Sequence, residues 1–204
     1  MNPVIILIGG GTGSGKSTLA SNINGRLSDY TTLISMDDYY KDQSGVSEAE
    51  RELINYDSPE VVDIELLSNN IAKLRNGEAI DEPVYDFATH TRKIETTHIE
   101  SSPIIIVEGI MALRFESLRS MANVKLYVDV DDDERIIRRI LRDTSARSRN
   151  LESIVYQYRT TVKPMHQLVV DPTKKYADFI LQDVQNMSVV NLLVAMIKKL
   201  ANIK

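Results

Sequence analysis

Eight consecutive residues, Gly10-Gly11-Thr12-Gly13-Ser14-Gly15-Lys16-Ser17, narrow the folds open to this chain more than any other stretch of it. They follow the pattern G-x-x-x-x-G-K-[ST]. Glycines in such a loop let successive backbone N–H groups curl around phosphate oxygens, and the helix that follows adds the partial positive charge of its N-terminus. The flanks suit that use. The apolar run Val4–Ile8 before the loop reads as a buried strand, and Ser17-Thr18-Leu19-Ala20 opens a helical pattern after it. On this reading Gly10 to Thr18 surround the phosphates of a nucleoside triphosphate. Lys16 reaches the β- and γ-phosphates and Ser17 ligates Mg²⁺.

Other apolar runs, Thr32–Met36, Ile104–Val107, Lys125–Val130 and Asp178–Leu181, are each followed by turn residues or a helical pattern. Helical spacing covers Lys16–Leu27, Pro59–Arg75, Asp132–Asp143, Leu151–Val170 and Ser188–Ala201, with Pro164 expected to kink or interrupt the fourth. Strands alternating with helices predict a parallel sheet covered on both faces. Pro83–Phe87 and Lys93–Ile99 break the alternation as a β-hairpin inserted on that sheet, joined by a polar turn at Ala88–Arg92. The expected fold is α/β, a three-layer fold of the P-loop NTPase type with a five-stranded parallel sheet. One domain over residues 1–204 carries the hairpin at about 80–100 and an arginine-bearing helical lid at about 135–155.

Composition removes several function classes. The formal net charge is −5, so the chain lacks the broad basic surface that nucleic-acid binding requires, and an anion site has to be local. There is no cysteine, and the three histidines, His90, His98 and His166, lack zinc-type spacing. No apolar stretch approaches the ~18 residues of a membrane helix. A soluble, cytoplasmic protein is the expectation.

A loop of this kind serves switches, motors and kinases alike, so other residues decide the reaction. A guanine-binding Asn-Lys-x-Asp string is absent, which argues against a GTPase switch. In open α/β sheets ligands lie beyond the carboxyl ends of the strands. Glu108 ends Ile104–Val107 and is the candidate for the Mg²⁺ shell. Asp37, after Leu33-Ile34-Ser35-Met36, is a candidate base for an attacking hydroxyl or a holder of metal-bound water. Its neighbour Asp38 reads as solvated or structural. Six arginines then crowd residues 135–149. Arg135 and Arg138 read as a solvated face paired with Asp131–Glu134, whereas Arg142, Arg147 and Arg149 suit a lid that covers a transferring phosphoryl group.

With these pieces placed, the chain resembles the uridine kinase (uridine-cytidine kinase) family of the P-loop kinase superfamily. The strings that carry the likeness are Asp37-Asp38-Tyr39-Tyr40-Lys41-Asp42, Asn55-Tyr56-Asp57-Ser58-Pro59, Pro83-Val84-Tyr85-Asp86-Phe87, His90-Thr91-Arg92-Lys93, Val107-Glu108-Gly109-Ile110, Arg138-Arg139-Ile140-Leu141-Arg142-Asp143 and Lys174-Lys175-Tyr176-Ala177-Asp178. The resemblance implies transfer of the γ-phosphate of ATP or GTP to the 5′-hydroxyl of uridine or cytidine. It makes Asp37 the base or orienting group and Asp57 with Arg139 the holders of the ribose. Tyr85 and His90 contact the pyrimidine edge, Tyr56, Tyr40 and Phe87 line its pocket, and Arg149 and Gln157 lie on the far side. Arg142 and Arg147 become lid groups on the phosphates, with Lys16 beside them. A homo-oligomer, a tetramer in the family, and inhibition by CTP or UTP are implied too.

Two strings depart from the family pattern. Arg147-Ser148-Arg149 stands where Arg-Gly-Arg is usual, and Gln182-Asp183-Val184-Gln185-Asn186 keeps only the asparagine of a segment bordering the donor base. The rival readings are another P-loop kinase, phosphoribulokinase-like or pantothenate-kinase-like, and a nucleotide-binding regulator without catalysis.

Overall fold

In the computed structural model, which describes residues 2–51, 53–146 and 149–203, the strands are β1 (Val4–Gly10), β2 (Thr31–Ser35), β3 (Ile80–Asp86), β4 (Thr91–Ile99), β5 (Ile104–Glu108), β6 (Val124–Val128) and β7 (Phe179–Leu181). The helices are α1 (Lys16–Arg26), a single turn α2 (Glu48–Arg51), α3 (Ile64–Arg75), a single turn α4 (Glu116–Arg119), α5 (Asp132–Ala146), α6 (Leu151–Gln157), the short α7 (Lys163–Met165) and α8 (Met187–Ala201). Five strands form the parallel sheet, in the order β2-β5-β1-β6-β7. Strands buried on both faces need apolar side chains at every position, which is why β1 and β5 read as unbroken aliphatic runs. Ile5 and Leu7 enter the core on one face, beneath Leu67, Ile71 and Leu74 of α3. Ile6 and Ile8 enter the other, beneath Leu19 and Ile23 of α1 and Val190, Leu193 and Ile197 of α8. Each such side chain, taken wholly out of water, stabilises the fold by ~1.5–3 kcal/mol before conformational entropy is counted.

Register then decides what meets at the top of the sheet. Ile8 pairs with Glu108, and Glu108 with Ser35. The phosphate loop, Glu108 and the turn after β2 therefore leave the sheet at one level. Gly109 completes this junction, since a Cβ there would come within 2.5 Å of Met36 Cβ. Only a glycine lets the turn bearing Asp37 fold against the end of β5.

Three expectations change in detail. The hairpin is not an extension of the main sheet: β3 and β4 pair antiparallel as a separate two-stranded sheet, with a bulge between Pro83 and Tyr85. It is fixed to the body by side chains instead. Arg92 donates to the Tyr39 carbonyl and pairs with Asp63 at 3.2 Å, and the Tyr85 N–H donates to Asp38 at 3.2 Å. Asp38 is thus structural. The helix expected from Pro59 starts at Ile64, where Asp63 accepts from the Leu66 N–H and caps it. Finally, Leu151–Val170 is helical throughout but changes pitch, with wide π turns at Tyr158–Val162 and His166–Val170 flanking α7. The wider turns accommodate Pro164, which has no N–H and would crowd the carbonyl four residues back in a regular α-helix.

Candidate active site

The loop between β1 and α1 is shaped by what lies behind it. Gly13 has φ 75°, and a Cβ there would run into the backbone carbonyl of Arg135. The start of α5 is thus packed directly against the phosphate loop. Arg135 itself is 2% exposed and donates to the carbonyls of Val130 and Thr12 while pairing with Asp132. The solvated reading of Arg135 fails for that reason, because its guanidinium braces the loop from beneath. Arg138 makes the expected pair with Glu134, at 2.8 Å, but it also borders a cavity beside the loop.

Two cavities open on either side of the loop. Gly13, Gly15, Lys16, Ser17 and Thr18 line the first, together with Arg138, Arg142, Val184 and Gln185. Val184 is buried against Gly15, and Asn186 accepts from the Ser188 N–H to cap α8. Gly10, Gly11 and Ser14 belong to the loop but do not face this cavity, and Thr12 turns to the other side. Below Lys16, the Ser17 hydroxyl donates to Glu108 Oε1 at 3.0 Å, while Oε2 of the same carboxylate is buried without a hydrogen-bond partner. Burial raises the pKa of Glu108, and the nearby Lys16 charge opposes the rise.

The second cavity gathers residues from distant parts of the chain. Asp37 and Tyr40 come from the turn after β2, Tyr56 and Asp57 from the segment before α3, Tyr85, Phe87 and His90 from the hairpin, Arg139 and Arg142 from α5, and Arg149 and Gln157 from the α6 region. Its aromatic wall is closely knit: Tyr40 meets Tyr85 edge-on at 5.3 Å, Phe87 meets Tyr85 at 5.2 Å, and Tyr56 stacks on His90 at 5.1 Å. The Tyr56 hydroxyl also donates to the His90 carbonyl at 3.4 Å, fixing a left-handed backbone (φ 54°) uncommon for a non-glycine residue. Opposite the aromatics sit charges. Asp57 has its pKa raised by burial against the opposing pull of Arg139, and the Tyr40 hydroxyl donates to Asp37 at 3.3 Å.

Sequence reasoning passed over Asp143. It is fully buried, and it accepts from Arg142 Nε at 2.8 Å while Arg139 Nε and Arg149 Nη1 lie 3.6 and 3.9 Å from its other oxygen. An acid embedded in an arginine cluster was the available signal. Gln157 Oε1 ties the same group together, accepting from Arg139 at 2.7 Å and from Arg149 at 2.8 Å. Arg147 lies outside the described residues.

Lys16 and Arg142 are shared by both cavities, so two ligands would approach the same pair of cations from opposite sides. Bringing two substrates to one phosphate loop is how P-loop kinases work, and that is the class this fold and site define. The fold is shared with a solved structure, the phosphoribulokinase from Rhodobacter spheroides, which aligns with a TM-score of 0.64 over 91% of this chain and 73% of its own, at 15% identity. The chain belongs to the phosphoribulokinase / uridine kinase family, whose model matches residues 5–190. Among its relatives, a protein of Clostridium novyi named uridine kinase is 48% identical over 98% of this chain and 97% of its own. Another of that name from Staphylococcus haemolyticus is 49% identical over 89% and 88%. No helix among the described residues is long and apolar enough to cross a membrane.

Proposed function

We propose that this chain is a uridine/cytidine kinase, which transfers the γ-phosphate of ATP or GTP to the nucleoside 5′-hydroxyl and yields UMP or CMP. The observation that carries the reading is the meeting of the two cavities at Lys16 and Arg142. The relatives named uridine kinase supply the substrate class, and the aromatic wall favours a nucleoside over a sugar phosphate or pantothenate. Imidazole and phenol groups can each donate or accept, so Tyr85 and His90 suit both uridine and cytidine at the base edge. Asp57 and Arg139 suit the ribose hydroxyls, and a buried carboxylate deprived of its partner disfavours deoxynucleosides.

The oxygen-rich pair of Ser17 and the unpartnered Glu108 Oε2 fits Mg²⁺, and Asp37, whose charge acts on Glu108, would hold a water of its shell. When bound, Mg²⁺ supplies neutralisation of the charge that develops on the β- and γ-phosphates. The chain does the rest by position. Backbone N–H groups of the loop and Lys16 hold the donor, and Asp37 orients the 5′-hydroxyl and accepts its proton as the bond to phosphorus forms. Arg142, with Arg147 from the neighbouring lid, covers the equatorial oxygens and keeps water out. Positioning and electrostatics suffice because a loose transition state requires little early proton removal. A cytoplasmic homo-oligomer, a tetramer by the family resemblance, is the proposed assembly, and light scattering measures it.

A coupled ADP-release assay with ATP and GTP against uridine, cytidine, deoxycytidine, adenosine, ribulose 5-phosphate and pantothenate tests the function. Turnover is expected with uridine and cytidine. Turnover of ribulose 5-phosphate or pantothenate with neither pyrimidine nucleoside accepted would sink it.

A further inference from the structure

We infer that Asp143 is the positioning residue that aims Arg142 at the transferring phosphoryl group and ties that aim to occupation of the acceptor cavity. The inference rests on the phosphotransferase reading above. A guanidinium offers five N–H donors in a rigid planar fork, so fixing one edge fixes the direction of the rest. Asp143 grips Arg142 at Nε, 2.8 Å away, which leaves the Nη end for a phosphate. Because the carboxylate is fully buried while the Arg142 side chain is 40% exposed, the anchor is the rigid partner and the arginine the movable one.

The same carboxylate faces Arg139 Nε at 3.6 Å. Arg139 in turn donates to the Thr12 hydroxyl of the phosphate loop at 3.1 Å and to Gln157 at 2.7 Å. One buried acid thus sits between the arginine of the acceptor cavity and the arginine shared by both cavities. A group that draws Arg139 toward the ribose side changes the field and the geometry in which Asp143 holds Arg142. A charged hydrogen bond of this kind is strong and directional, whereas a lone Arg142 on the rim would spread over many rotamers. The role is positional: Asp143 acts on substrate through the arginines.

The test reads the preference for a triphosphate over a diphosphate, which a purely structural acid would leave alone. Dissociation constants of AMP-PNP and ADP, both with Mg²⁺, are measured by calorimetry for the unmodified protein, Asp143→Asn, Arg142→Met and the double variant. Asp143→Asn is expected to lower the AMP-PNP preference by about tenfold, the scale of a charge-assisted hydrogen bond. In the double variant it should cost little beyond Arg142→Met, because both remove one coupled device. An unchanged preference in Asp143→Asn overturns the proposal, whatever happens to its melting temperature. So does a loss that adds in full to that of Arg142→Met. If Asp143→Asn does not fold, Asp143→Glu takes its place: the carboxylate, displaced by a methylene, should still lose the preference, and an unaltered ratio overturns the idea. The readout needs no turnover, so it stands apart from failure of the proposed nucleoside substrate.

Discussion

The two cavities that meet at Lys16 are built in opposite ways. The triphosphate side is made mostly by one short stretch of chain, Gly13 and Gly15 to Thr18, with backbone amides as the proposed contacts. The side proposed for the acceptor is made by side chains from many separate segments, held at their angles by packing and hydrogen bonds between distant residues. A backbone site recognises what all its ligands share, here phosphate. A side-chain site can be altered residue by residue, and it is where selectivity resides. Substitutions at the junction should therefore destroy turnover, those in the acceptor wall should change which substrate is used, and those in the frame should change only stability.

The largest effect is expected at Asp37, which shares the second cavity with Lys16 and Arg142 of the junction. Asp37→Asn should reduce kcat by ~10²–10⁴, the usual worth of a positioned acid–base group, with the Kd for AMP-PNP nearly unchanged. Steady-state kinetics beside calorimetry measures both, and intact turnover would break the assignment. Next comes the acceptor wall. Asp57→Ala should weaken ribonucleosides far more than deoxyribonucleosides, narrowing the ratio of kcat/KM between cytidine and deoxycytidine by about tenfold or more, as loss of a buried charged hydrogen bond would. A ratio that stays put would place the ribose elsewhere.

A smaller effect separates the brace from the chemistry. Arg135→Lys keeps the charge but cannot reach Val130, Thr12 and Asp132 together, so the KM for ATP should rise about three- to tenfold with nucleoside KM little altered. Equal changes in both would mean that Arg135 serves the whole fold and not the loop.

The smallest effect lies in the hairpin frame. Glu82 is buried on β3, and burial first, then the Asp38 charge, pushes its carboxyl up to about 8. The folded protein thus holds a proton that the unfolded chain, with an ordinary carboxylate, releases. Stability from this group is complete below the unfolded value and is lost as pH rises toward about 8. Glu82→Gln should melt a few degrees above the unmodified protein near pH 9, and the difference should vanish near pH 5. Parallel melting curves at both pH values would show that Glu82 carries no such linkage.

The same contrast governs what could be read in advance. The phosphate loop, the strand acids and the sheet were legible because each is written in adjacent residues or in a short apolar period. That Tyr56, Tyr85 and Gln157 share one cavity was legible only by resemblance, since nothing in their spacing brings them together. Arg135 was misread because its burial depends on a carbonyl 123 positions away, and helical spacing alone shows a charged residue on an acidic turn. The hairpin's independence from the main sheet was hidden too. Strand propensity says that a segment is extended, whereas pairing partners are set by the side chains, Arg92 and Asp38 among them, that dock it.

One helix, α5, braces the loop at Arg135, enters the acceptor cavity at Arg139 and reaches the junction at Arg142. It therefore acts as a ruler whose graduations are turns of ~5.4 Å. A residue inserted between Arg139 and Arg142 would rotate everything beyond it by about 100°, carrying Arg142 off the reacting face while Arg135 stayed in place. Side chains along this stretch can be exchanged one at a time, but its length can change only in whole turns.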